Sequence, residues 1–146
     1  MSAASALTSK IRAAIPLSEA MQFSIDDLSL DGIRVSAPLE PNINIHGTGF
    51  AGSIYSLAVL TGWALCTHII DELELDAELV VGRAEIAYRA PVTGALECRC
   101  ATEAAQRDAF LAEFRDRGKG RLVLDIAVGD RPQASLHATF VAVARQ

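Results

Sequence analysis

The chain is short of cysteine: three in 146 residues, an odd count that builds no disulfide framework. Cys98 and Cys100 fall side by side on one strand face and lack the Cys-x-x-Cys spacing of a redox or zinc site. Basic residues are outnumbered, 13 against 18 acids, for a formal net charge of −5. No basic footprint is left for a nucleic acid, so none is expected as a partner. A Gly-rich phosphate loop, a zinc signature and a nucleophile elbow are all missing, so neither a metal nor a covalent serine mechanism is expected. No internal repeat, low-complexity tract or linker divides the chain, and one domain over residues 1–146 is expected. There is no apolar run of signal-peptide type near the start. These absences together predict a reduced, cytoplasmic protein.

Lys10 and Arg12 stand among Ser and Ala with no acid before Glu19, a composition shared with transit peptides. The spacing of Leu7, Ile11 and Ile15 nevertheless predicts a short helix laying these three on the core. Residues 21–37 alternate as a hairpin, with Asp31-Gly32 as its tight turn at φ > 0. Pro38 to Gly49 read as a loop.

Phe50 to Ile70 contain no Asp, Glu, Lys or Arg. A helix of that length would span ~30 Å, enough for a bilayer. Ser53, Ser56, Thr61, Thr67 and His68 interrupt it, and no Lys or Arg lies between Arg34 and Arg83 to orient a membrane helix. A soluble helix apolar all round must be buried nearly all round. Four segments with period-2 alternation supply the cover: 78–90 (Val80, Ala84, Ile86 and Tyr88 inward), 95–103, 121–128 and 134–143. Asp108 to Arg117 read as one or two helical turns stopped by Gly118. The predicted fold is α+β: a strongly curved antiparallel sheet of about six strands wrapped around one long central helix, plus a short N-terminal helix. One sheet leaves part of such a helix uncovered, so a homodimer, or a dimer of dimers, is expected.

The loop before that helix carries Asn44-x-His46-x-Thr48, then Phe50-Ala51-Gly52-Ser53 and Ser56-Leu57-Ala58. This loop and helix opening resembles the hot-dog-fold acyl-CoA thioesterases, and most nearly the thioesterase domain of the YiiD C-terminal type. Tyr55 to Trp63 and the later Tyr88-Arg89-Ala90-Pro91-Val92 share in the likeness, which runs from about Met21 onward. It implies a hydrolase of acyl-CoA or acyl-carrier-protein thioesters with no cofactor, coenzyme A entering only as part of the substrate. It also implies that Asn44 positions the carbonyl or the attacking water. Free N–H groups at a helix N-terminus independently suit a developing oxyanion, and Gly52 would let the substrate approach them. Catalytic candidates are Asn44, Gly52 and His46. Substrate-binding candidates are Thr48, Phe50, Ser53, Tyr55, Ser56, Arg89, Arg117 and Lys119. The last two belong to a basic cluster that suits either coenzyme A phosphates or a solvated turn.

Related phenylacetyl-CoA-type thioesterases place an acid seven residues after the second Gly of the helix opening. Here that position is Val59. His46, Ser56, Thr61 and Glu85 are the alternatives for activating or positioning water. Blander roles compete throughout: Asn42 and Asn44 bonding their own turn, His46 locking the loop, Gly52 serving close packing, and Tyr55, Trp63 and His68 lying in core or interface. A non-catalytic acyl-binding domain is the rival function. A dehydratase or hydratase on the same fold is a weaker rival, because no carboxylate pairs with His46.

Overall fold

A computed structural model describes residues 2–146. Helix α1 (Ala3–Ala14) begins at Ser2, whose hydroxyl accepts from the Ser5 N–H. It buries Leu7 and Ile11, as their spacing requires. The expected short helix is there but stops at Ala14, one residue before Ile15, and a second helix that was not expected follows it, because Pro16 follows Ile15. A residue before proline is pushed to extended backbone; Ile15 (φ −121°, ψ 91°) ends α1, and α2 (Pro16–Met21) starts with the proline. Ile15 is therefore partly exposed at the break and not on the core. Arg12 sits 5.3 Å over the Phe23 ring and donates to the Phe23 carbonyl, so this cation fastens α1 to the sheet.

Six strands follow: β1 (Ser24–Leu28), β2 (Gly32–Ala37), β3 (Ala77–Tyr88), β4 (Leu96–Ala101), β5 (Lys119–Val128) and β6 (Ala134–Ala144). They pair in the order β1-β2-β4-β5-β6-β3, antiparallel throughout. The inner face buries alternate residues, among them Leu96, Cys98 and Cys100 on β4 and Leu136, Ala138 and Phe140 on β6. Two expectations are corrected. A bulge between Val81 and Arg83 of β3 switches the parity, leaving Val80 half exposed while Leu79 faces inward, and Tyr88 is exposed at the strand end. Gly32 is not at positive φ; a Cβ there would meet the Cys100 carbonyl oxygen at 2.9 Å, so glycine serves the close approach of β2 to β4.

The long apolar segment is helix α3 (Ala51–Glu72), and it touches β2, β3, β4, β5 and β6. By length and composition it qualifies as a membrane span, but Leu57, Leu65, Cys66 and Ile69 are fully enclosed by protein. It is the core. At Gly62 the helix presses on the sheet so closely that a Cβ would lie 2.6 Å from the Phe140 ring.

Helix α4 (Ala104–Arg117) is longer than its apolar residues predicted, and Gly118 at φ +66° ends it. Strand β4 pairs with β5 only over Cys98–Cys100 and Ile126–Val128. Beside the remainder of β5 lies α4, where Gln106 donates to the Val123 carbonyl and Glu113 accepts the Arg121 N–H. A helix thus satisfies backbone groups that a neighbouring strand leaves bare.

Candidate functional site at the amino end of α3

The loop ahead of α3 is closed by a bridge between Ile43 and Gly49 and by the Phe50 N–H donating to the Asn42 carbonyl. Asn42 is buried, its amide donating to the Met21 and Pro38 carbonyls. Asn44 lies at the loop's centre. Its Oδ1 accepts from the N–H groups of His46 (2.8 Å) and Thr48 (3.1 Å), and its Nδ2 donates to Thr48 Oγ1 (2.9 Å) and the Gly49 carbonyl (3.2 Å). An amide carries two N–H donors. Both are used inside the loop, so in this structure Asn44 shapes the loop and offers a substrate none. Gly49 is buried, and its N–H donates to the Val92 carbonyl. His46 is exposed and makes no side-chain hydrogen bond among the described residues.

No side chain caps α3 at Phe50, and the first N–H of the helix with an acceptor is that of Ile54, on the Phe50 carbonyl. Among the described residues, the N–H groups of Ala51, Gly52 and Ser53 have no partner, as the first turn of a helix leaves them. The space that Gly52 frees is filled by Phe50, whose Cε2 would stand 2.5 Å from a Cβ at position 52. That ring is half exposed and belongs to a side chain free to turn. At the same end the Tyr88 hydroxyl donates to the Ala51 carbonyl, and partial burial, reinforced by Tyr55, pushes the Tyr88 phenol up from its ordinary value.

A stripe of α3 spaced at helical intervals, Gly52, Tyr55, Ser56, Val59 and Trp63, stays only partly buried. Tyr55, Ser56, Val59 and Trp63 of this stripe line a groove of about 280 Å³ whose other wall is α2, with Leu17 and Met21, and Gly52 lies just beyond its near end. Among the described residues lining this groove none is charged. Val59 lies within it, two turns below Gly52 on the same side. Sequence reading missed the α2 wall, because six residues are too few for a period to register.

The structure thus gathers Asn44, Thr48, Phe50, Gly52, Ser53, Tyr55 and Ser56 at one end of the molecule. Arg89 adjoins them after Tyr88, its guanidinium on Ser135 Oγ at 2.7 Å. Arg117 and Lys119 stand elsewhere. Lys119 shares a register row with Val143 and Glu78, whereas Val128 shares one with Ala134 and Tyr88. The rows are ~30 Å apart along β5, so within one chain this basic cluster does not adjoin the amino end of α3. Thr61 is fully buried, bonded to the Leu57 carbonyl and facing Cys98, away from the groove. Glu85 is on the outer face, opposite His137, with the sheet between it and α3. Burial pushes the thiols of Cys98 and Cys100 up to about 12, and that of Cys66 also up. Among the described residues no group of three His, Cys, Asp or Glu could hold a metal.

An antiparallel sheet rolled around one buried helix, with that helix's amino end open beside a groove, is the hot-dog fold of thioesterases. Over residues 4–144 the chain matches the family described as "Putative thioesterase (yiiD_Cterm)", and it belongs to that family. A "putative thioesterase" from Shewanella oneidensis is 33% identical, with a TM-score of 0.85 over 96% of each chain. A protein of unknown function from Chlorobaculum tepidum TLS is 25% identical, with a TM-score of 0.92 over 97% of this chain and 94% of that one. A Pseudomonas aeruginosa protein described as a "probable thioesterase" shares the fold at 20% identity, with a TM-score of 0.85 over 97% and 95% of the two chains.

Proposed function

We propose that this protein hydrolyses thioesters of apolar acyl groups carried on coenzyme A or an acyl-carrier protein. The observation that carries the reading is the set of unpartnered N–H groups at Ala51, Gly52 and Ser53, opening beside an uncharged groove. The thioester carbonyl oxygen accepts from these N–H groups once Phe50 turns aside, and the acyl chain lies along Ser56 and Val59. Water adds to the carbonyl carbon, the N–H groups hold the oxyanion, and the C–S bond breaks to release a thiol and a carboxylic acid. Ser56, within the groove, orients the water. His46, on the same loop, takes a proton from the attacking water and passes it to the leaving sulfur. The carrier's polar portion extends past Arg89.

The active form in this reading is a homodimer. Strand β3 is a twelve-residue edge strand, paired with β6 on one side and with no strand among the described residues on the other, and Val80, Val81 and Tyr88 are exposed along it. Ile43, Ile45 and Phe50 are exposed at its Tyr88 end, around the opening of α3. A second copy laid edge to edge covers both features. A reducing cytoplasmic setting suits the three free cysteines of the core.

Thiol release from a panel of acyl-CoA substrates tests the proposal, with hydrolysis of at least one saturated acyl thioester the expected result. The uncharged groove, with Val59 where related enzymes carry an acid, favours a second reading, an acyl-binding domain without turnover. That reading predicts saturable binding of acyl-CoA with no thiol released.

A further inference from the structure

Trp63 lines two cavities at once. On one side is the uncharged groove between α2 and α3. On the other is a cavity of about 430 Å³ between the carboxyl half of α3, α1 and the start of β3. Of the α3 residues along the open stripe, Trp63 is the one common to both. The two spaces differ in chemistry. Beyond Trp63 the walls include Lys10, Asp71, Glu78 and Arg145, together with Thr67, a buried hydroxyl with no hydrogen-bond partner among the described residues.

We infer that Trp63 is the end wall of the acyl groove and sets the longest chain it accepts, an inference that rests on the groove being the acyl site. From Gly52 to Trp63 the helix rises ~16 Å. Side chains on a helix lean toward its amino end, so the indole stands over the turn before its own Cα and shortens that run by ~5 Å. At the ~1.2 Å per bond of an extended chain, the remaining space takes roughly ten carbons. Each methylene buried before the wall contributes about 0.8 kcal/mol, which is about fourfold in affinity. Methylenes added beyond it meet the indole or must turn out into water, and add nothing. Removing the indole joins the apolar groove to the second cavity.

Calorimetry with S-alkyl-CoA thioethers of four to sixteen carbons, which no hydrolase can cleave, reads this directly. For the wild type, affinity rises about fourfold per methylene and levels off near ten carbons. Trp63→Ala moves the plateau at least four carbons longer, and Val59→Phe, which fills the groove midway, moves it shorter. General loosening of the fold would shift both variants the same way. Should Trp63→Ala lose its cooperative melt, Trp63→Leu carries the same test with a smaller shift. A plateau left in place by the Trp63 variant overturns the inference, as does a wild-type affinity that climbs without levelling. Thiol release from matching thioesters, measured in parallel, separates the two claims. A shifted plateau without turnover keeps the wall and removes the hydrolase; turnover with a fixed plateau does the reverse. No saturable binding at any length removes both.

Discussion

The Tyr88 hydroxyl donates to the Ala51 carbonyl oxygen at 2.9 Å, pinning the last residue of β3 to the first residue of α3. The amino end of the helix is thereby held by the edge strand as well as by the loop before it. Tyr88→Phe removes one partly exposed hydrogen bond and no packing, for a loss of about 0.5–1 kcal/mol. The expected outcome is a melting temperature a few degrees lower, with a several-fold fall in thiol release because the first turn is less firmly oriented.

Gly52→Ala separates packing from chemistry. Inside a helix alanine is favoured over glycine by up to about 1 kcal/mol, and the new methyl displaces only the half-exposed Phe50 ring. Urea unfolding should therefore show unchanged or slightly raised stability. Thiol release should drop at least tenfold, since the methyl and the displaced ring crowd the N–H groups proposed to hold the oxyanion.

Gly62→Ala has the opposite character. Its Cβ would stand 2.6 and 2.7 Å from two atoms of the Phe140 ring and 3.2 Å from Ile126 Cδ1, all deep in the core. Neither side chain has room to retreat. Overpacking of this kind costs about 1–3 kcal/mol, only partly offset by the helix preference for alanine. The urea midpoint should fall with an unchanged slope.

Asn44→Ala deletes four hydrogen bonds from the loop, and Asn44→Asp keeps the acceptor while losing both donors. Amide exchange at His46 and Thr48 should quicken in the alanine variant and stay slow in the aspartate one. Thiol release should fall in both, more steeply for alanine. An aspartate variant as impaired as the alanine one would place the role of Asn44 in its donors.

Alkaline stability follows from the core thiols. Cys98 and Cys100 ionise at about 12 when folded, against about 9 when unfolded, and Cys66 shifts the same way. The unfolded chain thus loses protons first as pH rises, and above pH 9 stability declines toward pH 12. Below pH 9 these groups contribute a pH-independent term. Melting temperatures across pH 8 to 11 should decline with a steepening slope, and replacing Cys98 with alanine should make the slope shallower.

The architecture was legible because its signals were long. Twenty-one uncharged residues demanded enclosure, and the alternation in 121–128 and 134–143 supplied inner faces that the structure keeps. What escaped was set by single residues acting against a period: Pro16 starting a second short helix just past the first, and the Val81–Arg83 bulge turning Val80 outward. The candidate site was legible as a stretch of chain and not as a geometry. Asn44, Thr48 and Gly52 do lie together, yet nothing in the sequence tells that Asn44 would spend its amide on its own loop. Strand parity and length decided the rest, with Glu85 on the far side of the sheet and Lys119 at its far end. The groove's second wall came from α2, a helix too short to announce itself.

By standing in for a strand beside β5, α4 also has a bearing on how copies of the chain can accumulate. With that flank shut, two edges remain. β1 is a poor template: five residues, an irregular register, and Asp26 and Asp27 to repel an incoming chain. β3 is long and accommodating. If two copies join through β3, as proposed, the longest free border among the described residues is used up on each, and growth by that route stops after a single step.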